Sequence, residues 1–179
     1  MNKFTTRISS IFSFSSSAFM VMILLMAFLT RNYQDVPNVK LDVQEVTVSN
    51  KGNYDYYDST SRDAEFARIK FNLSADMSHL FNWNTKQLFC YLLAEYENSE
   101  GKTETDNKVI IWDRIIVSPK RAKLSMKKHF NKYSFRDYNP SFKGAKKAKL
   151  TFVVERVPVV GFFINKSEHS VDFEYPPKQ

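Results

Sequence analysis

Three histidines are the side chains on which any catalytic or metal-binding function of this chain would depend. His79, His129 and His169 have no metal-ligand spacing, since the chain contains no His-Glu-x-x-His motif and no paired cysteines. Beside His169, Ser170 and Asp172 supply the residue types of a serine-hydrolase triad. Adjacent residues of a strand point to opposite faces, so this spacing does not bring a base to a nucleophile. We therefore expect no catalytic residue, no metal ion and no cofactor.

Glycine and cysteine usage argues against further classes of site. The chain has four glycines and lacks a P-loop, a Gly-x-Ser-x-Gly elbow and a glycine-rich phosphate cradle. Cys90 is the only cysteine, so no internal disulfide can form. Because it lies in the apolar run Leu-Phe-Cys-Tyr-Leu-Leu, we expect a buried and inert thiol. The sequence thus predicts a protein without a small-molecule substrate.

The first thirty residues differ from the rest and predict a membrane segment. Residues 8–29 carry no charge, and as a helix they rise about 33 Å, enough for a hydrocarbon core of about 30 Å. A cleaved signal peptide and a retained signal anchor would both contain such a segment. The sequence at its end, Phe-Leu-Thr-Arg, lacks the small residues that a cleavage site needs. We therefore predict a transmembrane signal anchor over residues 8–30.

Charge at the two ends of this segment predicts its orientation. Lys3, Arg7 and the α-amino group precede it, whereas Arg31 is soon followed by Asp35. An excess of positive charge favours the cytosolic side of a membrane. We expect residues 1–7 to form a cytosolic tail and residues 31–179 to form a domain on the far side.

Serines within the predicted anchor form a stripe of small side chains. Ser9, Ser13 and Ser17 are four residues apart, so they share one face of a helix. Small residues let two helices approach closely in lipid, and serine hydroxyls can bond across the contact. Alternatively, these serines mark a weakly polar helix end near the lipid headgroups.

Residues 31–179 alternate between apolar and polar side chains, the pattern of half-buried strands. The predicted strands are 39–48, 66–75, 86–97 (central), 109–117, 149–157, 159–164 and 170–175. Pro158 is expected to mark a strand end or edge. Residues 51–62 are expected to form an exposed loop, and residues 123–133 fit either a short helix or an edge strand. Short strands without long helices between them predict an antiparallel β-sandwich of six or seven strands.

A break in the alternation separates the second and third of these strands. Asp76 can cap a short helical turn there, and we expect Leu80, Phe81 and Trp83 to fold back on the core. Two Asn-x-Ser sequons, at Asn72 and Asn165, are glycosylation candidates.

Positive charge is concentrated between residues 120 and 149, where eleven Lys or Arg residues accompany one acidic residue, Asp137. Such a run is typical of a solvated face. It could also contact anionic lipid headgroups or an acidic partner. The predicted membrane anchor argues against nucleic acid as the partner.

One stretch of the chain resembles a known family. Residues 75–96 combine an Ala-Asp-x-x-x-Leu-Phe-x-Trp-Asn turn with the strand Lys-Gln-Leu-Phe-x-Tyr-Leu and its ending Ala-Glu-Tyr. This combination resembles signal peptidase complex subunit 3, and the later motifs Val-Ile-Ile-Trp-Asp-Arg and Lys-Tyr-Ser-Phe-Arg-Asp are similar to the same family. The short tail and the single anchor extend the resemblance to nearly the whole chain.

The resemblance implies a single-pass type II protein of the endoplasmic reticulum membrane with a luminal β-sandwich. It implies a non-catalytic accessory subunit that supports the catalytic serine protease subunit in removing signal peptides. The implied partners are that subunit, the other subunits of the complex and the lipid bilayer. The alternatives are an independent luminal enzyme and a free-standing luminal or extracellular binding or adhesion sandwich with a membrane anchor.

Several side chains are candidates for contact with these partners or with lipid. For the aromatic ones, packing in the core is the competing interpretation. The candidates are Phe81, Trp83, Tyr91, Lys120, Arg121, Lys146 and Lys147.

Overall fold

The computed structural model describes residues 3–31, 36–49, 64–96, 108–136, 142, 147–163 and 166–174. It begins with helix α1, Phe4–Arg31, which is long and apolar enough to cross a membrane. The helix contains the predicted segment 8–30 and starts four residues earlier, where the carbonyl of Lys3 accepts a hydrogen bond from Thr6 N. Helical structure in the predicted anchor region is thus present, and the membrane span itself stays a prediction.

Seven antiparallel strands follow in the described part of the chain and form two sheets, which confirms the predicted mainly β class. The three-stranded sheet has the order β1-β2-β5 and the four-stranded sheet the order β4-β3-β6-β7. The strands are β1 Asn38–Ser49, β2 Phe66–Asp76, β3 Thr85–Tyr96, β4 Lys108–Ile116, β5 Lys123–Phe130, β6 Lys147–Pro158 and β7 Lys166–Glu174. The predicted central strand is β3, which pairs with β4 on one side and β6 on the other.

The sequence left one segment open and assigned another wrongly. Residues 123–133 supply the edge strand β5 and not a helix. The predicted strand at 159–164 is wrong, since residues 159–163 form bends after β6 ends at Pro158. Gly161 lies there at φ +118°, outside the extended region that a strand requires. The predicted loop 51–62 falls outside the described residues.

The core lies between the two sheets and is built from the inward-facing positions of their strands. Ile69, Phe71 and Leu73 of β2 share this core with the inward-facing Leu88 and Leu92 of β3, and none of the five has exposed surface. Period-two alternation explains this, because it places one apolar face of each sheet against the other. Core residues of the other strands include Ile111, Leu124, Leu150 and Phe152.

Cys90 belongs to this core. Its side chain has no exposed surface, and Sγ lies 3.6 Å from Met77 Sδ. Burial raises the pKa of the thiol to about 12, so the reactive thiolate is suppressed at neutral pH. The predicted burial of the thiol is confirmed.

The strands begin and end at two opposite ends of the sandwich. The odd-numbered strands begin, and the even-numbered strands end, at the same end, as pairings such as Asn38 with Asp76 and Thr85 with Pro158 require. This helix-side end carries residues 36–37, 77–84, 117–122 and 159–163. The 3₁₀ turns Ser78–Leu80 and Pro119–Arg121 also lie there.

Candidate interaction surfaces

α1 is joined to the sandwich through a buried amide side chain. Asn84 is only 1% exposed, and its Nδ2 donates to Thr30 Oγ1 and to Val160 O, both at 2.9 Å. Its Oδ1 accepts a hydrogen bond from Val160 N at 3.0 Å. Thr30 Oγ1 donates in turn to Met26 O at 2.8 Å. Asn84 therefore connects the last turn of α1 to the segment that follows β6.

A second contact between helix and sandwich involves Gly161. A Cβ placed on Gly161 would lie 3.4 Å from Ala27 Cβ, an ordinary van der Waals distance. Space alone would therefore permit a side chain, and the positive φ is what favours glycine. Since Ala27 lies four residues before the end of α1, Gly161 lies about 6 Å before that end along the helix axis.

The turn that carries Asn84 is fixed by its own hydrogen bonds. Asn84 N donates to Asn82 Oδ1 at 2.9 Å, and Asn82 N donates to Thr85 Oγ1 at 3.2 Å. Thr85 Oγ1 also donates to Leu80 O at 3.0 Å. Trp83 stands at the tip of this turn with 67% of its surface exposed, so its predicted fold onto the core is wrong. The indole lies outside this hydrogen-bonded turn.

The beginning of this turn matches the sequence prediction more closely. Asp76 Oδ1 accepts hydrogen bonds from Ser78 N at 3.1 Å and Ser78 Oγ at 2.7 Å. These two bonds, with a smaller contribution from Lys123, lower the pKa of Asp76 from 3.8 to about 2. Leu80 is buried, and Phe81 is half-buried and packs against the core. For Phe81 the core-packing interpretation is therefore supported.

The helix-side end combines exposed apolar side chains with cations. Phe162 and Phe163 are 78% and 74% exposed, and they adjoin the Trp83 turn because Val159 N donates to Asn84 O at 2.8 Å. Other strongly exposed apolar side chains at this end are Val36, Val117 and Val159. The turn Pro119–Arg121 adds the exposed Lys120 and Arg121. We call Trp83 together with residues 159–163 the apolar foot.

The basic segment predicted at 120–149 divides into separate parts. Lys123 pairs with Asp76 at 3.2 Å, and Lys132 pairs with Asp113 at 2.7 Å. Lys147 begins β6 at the end of the sandwich away from α1, far along the sheet from Lys120 and Arg121. Lys146 lies outside the described residues. The structure therefore does not gather these cations into one patch.

A different apolar surface lies on the outer face of the four-stranded sheet. Tyr91 of β3 is only 8% exposed although it points away from the core, and its hydroxyl donates to Glu155 Oε1 at 2.8 Å. Desolvation, followed by the Glu155 hydrogen bond, raises the pKa of Tyr91. Its ring lies 5.2 Å from the Phe89 ring. Ile115, which pairs with Phe89 in the ladder, is 55% exposed.

The remaining polar candidates are placed as follows. Ser9, Ser13 and Ser17 lie on α1, where Ser17 Oγ donates to Ser13 O of its own helix at 3.0 Å. Asn72 lies on β2, and its Oδ1 accepts from Lys128 N at 2.8 Å, at an irregularity in the pairing with β5. Helix packing and glycosylation at these positions stay predictions. Asn165 lies outside the described residues.

The histidine-centred triad is not assembled. On β7, Ser170 pairs with Thr151, whereas His169 pairs with Phe152 of the core face, so the serine and the histidine point to opposite sides. Ser170 Oγ instead lies 3.2 Å from Thr151 Oγ1. Within the described residues, no group of three or more His, Cys, Asp or Glu side chains could hold a metal ion.

Comparison with known proteins identifies the family. The family model described as "Signal peptidase subunit" matches residues 1–178. The chain belongs to this signal peptidase subunit family. The resemblance found in the turn and strand of residues 75–96 is thereby confirmed. Because the family is one of complex subunits, other subunits of the complex are implied as partners, and the apolar helix fits a membrane protein of the endoplasmic reticulum.

Individual relatives give the same result. The chain is 47% identical over 97 residues to signal peptidase complex subunit 3 of Debaryomyces hansenii, covering 54% of this chain and 50% of that relative. It is 33% identical over 163 residues to the protein of that name from Canis lupus familiaris, covering 90% and 86%. It is also 32% identical over 162 residues, with the same coverage, to adipocyte-related X-chromosome expressed sequence 1 of Mus musculus. The subunit 3 name supports an accessory subunit and not the catalytic one.

Sequence reasoning missed the residues that attach the helix to the sandwich. Asn84 and Gly161 were not singled out, although each has a local signal. An asparagine after a tryptophan in a polar turn is compatible with side-chain hydrogen bonding to the backbone. A lone glycine inside the apolar run Val-Val-Gly-Phe-Phe can mark a close backbone approach. Neither signal identifies α1 as the partner, because that contact joins distant parts of the chain.

Proposed function

We propose that this chain is the accessory subunit that supports the catalytic serine protease subunit of the signal peptidase complex. The observation that carries the proposal is the match of residues 1–178 to the signal peptidase subunit family. The architecture is consistent with it, because a β-sandwich without an assembled triad is held against the end of an apolar helix. In this role the domain stabilises the catalytic subunit and helps shape the site near the bilayer.

The proposed orientation is type II in the endoplasmic reticulum membrane. Lys3 and Arg7 lie at the start of α1, and the positive-inside rule places this end in the cytosol. The sandwich then lies in the lumen, where signal peptides emerge and are removed.

For the contact with the catalytic subunit, we propose the outer face of the four-stranded sheet. The outer face of a sandwich is ordinarily polar, because it meets water. Here Phe89 and Ile115 form an apolar pair beside the buried Tyr91, and Ile110 of β4 is also exposed. Tyrosine and other aromatic side chains are enriched at protein interfaces. The strand ladder holds these side chains in fixed positions, which suits a partner of defined shape.

Purification of the full chain tests the proposal. A C-terminally tagged copy is extracted in mild detergent, and its stoichiometric partners are identified by mass spectrometry. We expect a membrane serine protease of the signal-peptidase type in equal amount. Recovery of the folded chain alone would contradict the proposal and favour the alternative of a free-standing adhesion domain.

Folding can be checked in the same sample through Cys90. As the only cysteine, buried and with a raised pKa, it should resist alkylation while the domain is folded. Rapid alkylation of Cys90 would show that the domain had unfolded. The purification would then be repeated in milder detergents until the thiol is protected.

A further inference from the structure

We propose that the helix-side end of the sandwich is immersed in the interfacial region of the bilayer that α1 crosses. The apolar foot would enter the boundary between headgroups and acyl chains, while Lys120 and Arg121 would meet the lipid phosphates. The inference rests on the proposed membrane anchor, and it does not depend on contact with the catalytic subunit.

The depth of the foot follows from its contacts with α1. Gly161 lies against Ala27, about one helical turn before the end of the helix. Asn84 bonds both to Val160 and to Thr30, so the foot cannot move away from the helix without breaking the Asn84–Thr30 hydrogen bond. A helix that spans the bilayer therefore carries residues 159–163 to the level of its own last turn.

The composition of the foot matches that depth. Trp83, Phe162 and Phe163 expose 67%, 78% and 74% of their surface, respectively. A soluble domain rarely concentrates such large exposed apolar side chains on one side. Tryptophan is enriched at the membrane interface, because its ring favours the apolar side and its N–H can bond to water or headgroups.

The cations lie where the headgroups would be. Lys120 and Arg121 are exposed on the turn between β4 and β5, at the same end of the sandwich as Trp83. Met77 N donates to Ala122 O at 3.1 Å, which ties this turn to the segment leading to Trp83. Basic residues next to a membrane anchor attract anionic lipid headgroups. A bilayer accounts for both the apolar and the basic side chains.

Tryptophan fluorescence offers a direct test, since Trp83 and Trp112 are the only two tryptophans. Trp112 lies in the core and is 5% exposed. The full chain carrying Trp112→Phe is reconstituted in phosphatidylcholine vesicles whose acyl chains bear bromine near the headgroup end. We expect the bromolipid to remove most of the Trp83 emission and the emission to be blue-shifted relative to a water-exposed indole.

The matched control is Trp83→Phe, which leaves the buried Trp112 as the reporter. Its emission should lose little intensity in the same vesicles. Protection of Cys90 from alkylation verifies that each variant is folded, and resistance to alkaline extraction verifies that α1 is inserted. A folded, inserted chain whose Trp83 is unquenched overturns the inference and leaves the proposed anchor standing. A chain that alkali extracts overturns the anchor itself.

A charge-reversal pair tests the role of the cations. Phosphatidylserine replaces unbrominated phosphatidylcholine in vesicles that hold a constant, low fraction of bromolipid, where quenching is incomplete, and quenching of Trp83 is expected to rise with the phosphatidylserine fraction. Lys120→Glu with Arg121→Glu should abolish that rise. Lys127→Glu with Lys149→Glu makes the same change of net charge away from this turn and should preserve it. Equal loss in both pairs would overturn the assignment of Lys120 and Arg121 to the headgroups.

Discussion

The helix-side end and the outer face of the four-stranded sheet both expose apolar side chains, but they hold them differently. At the helix-side end, Trp83 and residues 159–163 lie on turns that are fixed through backbone hydrogen bonds and the Asn84 amide. On the outer face, Phe89, Tyr91 and Ile115 lie on paired strands in a set register.

This difference in how the side chains are held indicates what kind of partner each surface suits. A bilayer has no fixed shape, so a surface that meets it needs the correct depth and apolar character more than a particular arrangement of side chains. A protein partner requires complementary shape and few unpaired polar groups. The outer face meets the second of these requirements at Tyr91, because the Tyr91 hydroxyl already donates a hydrogen bond to Glu155. Variants can therefore change the depth of the helix-side end in the bilayer and the shape of the outer face separately.

Loss of the Asn84 amide should have the largest effect. Asn84→Ala leaves the N–H and C=O of the half-buried Val160 without their side-chain partner, and an unsatisfied polar group costs up to about 1–3 kcal/mol when buried. We expect the free energy of unfolding to fall by about 3 kcal/mol. The measurement is the urea dependence of Cys90 alkylation in the full chain. Asn38→Ala, at an exposed position that begins β1, is the control and should change little.

The same variant distinguishes the two surfaces. If Asn84 fixes the depth of the foot, Trp83 quenching in brominated vesicles should become weaker at urea concentrations where the domain remains folded. Binding of the catalytic subunit through the outer face should persist under those conditions. Simultaneous loss of both properties would show that the two surfaces are not separate.

A charge on the outer face should have the next largest effect. Ile115→Asp places a carboxylate in the proposed protein interface, where a central contact contributes about 2 kcal/mol, a factor of roughly 30 in affinity. We expect recovery of the catalytic subunit with the tagged chain to drop accordingly. Because Ile115 is exposed, the fold should survive, as Cys90 protection will check. Ser125→Asp, at an exposed position of β5, should leave recovery unchanged, and an equal drop there would refute the assignment.

The smallest effect concerns acid sensitivity of the turn that leads to Trp83. The pKa of Asp76 is lowered from 3.8 to about 2, so its stabilising contribution is complete above about pH 4 and is lost as the pH falls toward 2. Asp76→Asn should flatten the pH dependence of stability within that window. Ser78→Ala removes one donor and should give an intermediate slope. A slope in Asp76→Asn equal to that of the original chain would contradict this origin.

Much of the fold could be predicted from the sequence, because strand alternation is a local signal. The limits of β1, β2 and β3 differ from the predicted ones by at most one residue at each end. The strand predicted at 159–164 failed, because an apolar run does not by itself show that its residues pair in a sheet. Here Phe162 and Phe163 are strongly exposed in the segment that follows β6. In the same way, Trp83 looked like a core residue, although the hydrogen bonds of Asn82 and Thr85 turn it outward.

The site was less predictable for the same physical reason. Interaction surfaces depend on which residues distant parts of the chain bring to one end. Lys120 and Lys147 belong to one basic run in the sequence, yet β5 and β6 carry the start and end of that run to opposite ends of the sandwich. Family motifs, in contrast, indicate a family whose members share one fold. For this reason residues 75–96 were more informative than any charge pattern.

Depletion of this chain from cells tests whether it supports the catalytic subunit. The level of the catalytic subunit and the fraction of a secretory preprotein that retains its signal peptide are measured before and after depletion. We predict that the catalytic subunit declines or loses activity, that uncleaved preprotein accumulates, and that re-expression of the full chain, but not of Ile115→Asp, restores cleavage. Normal levels of the catalytic subunit with normal preprotein cleavage after complete depletion would contradict the account.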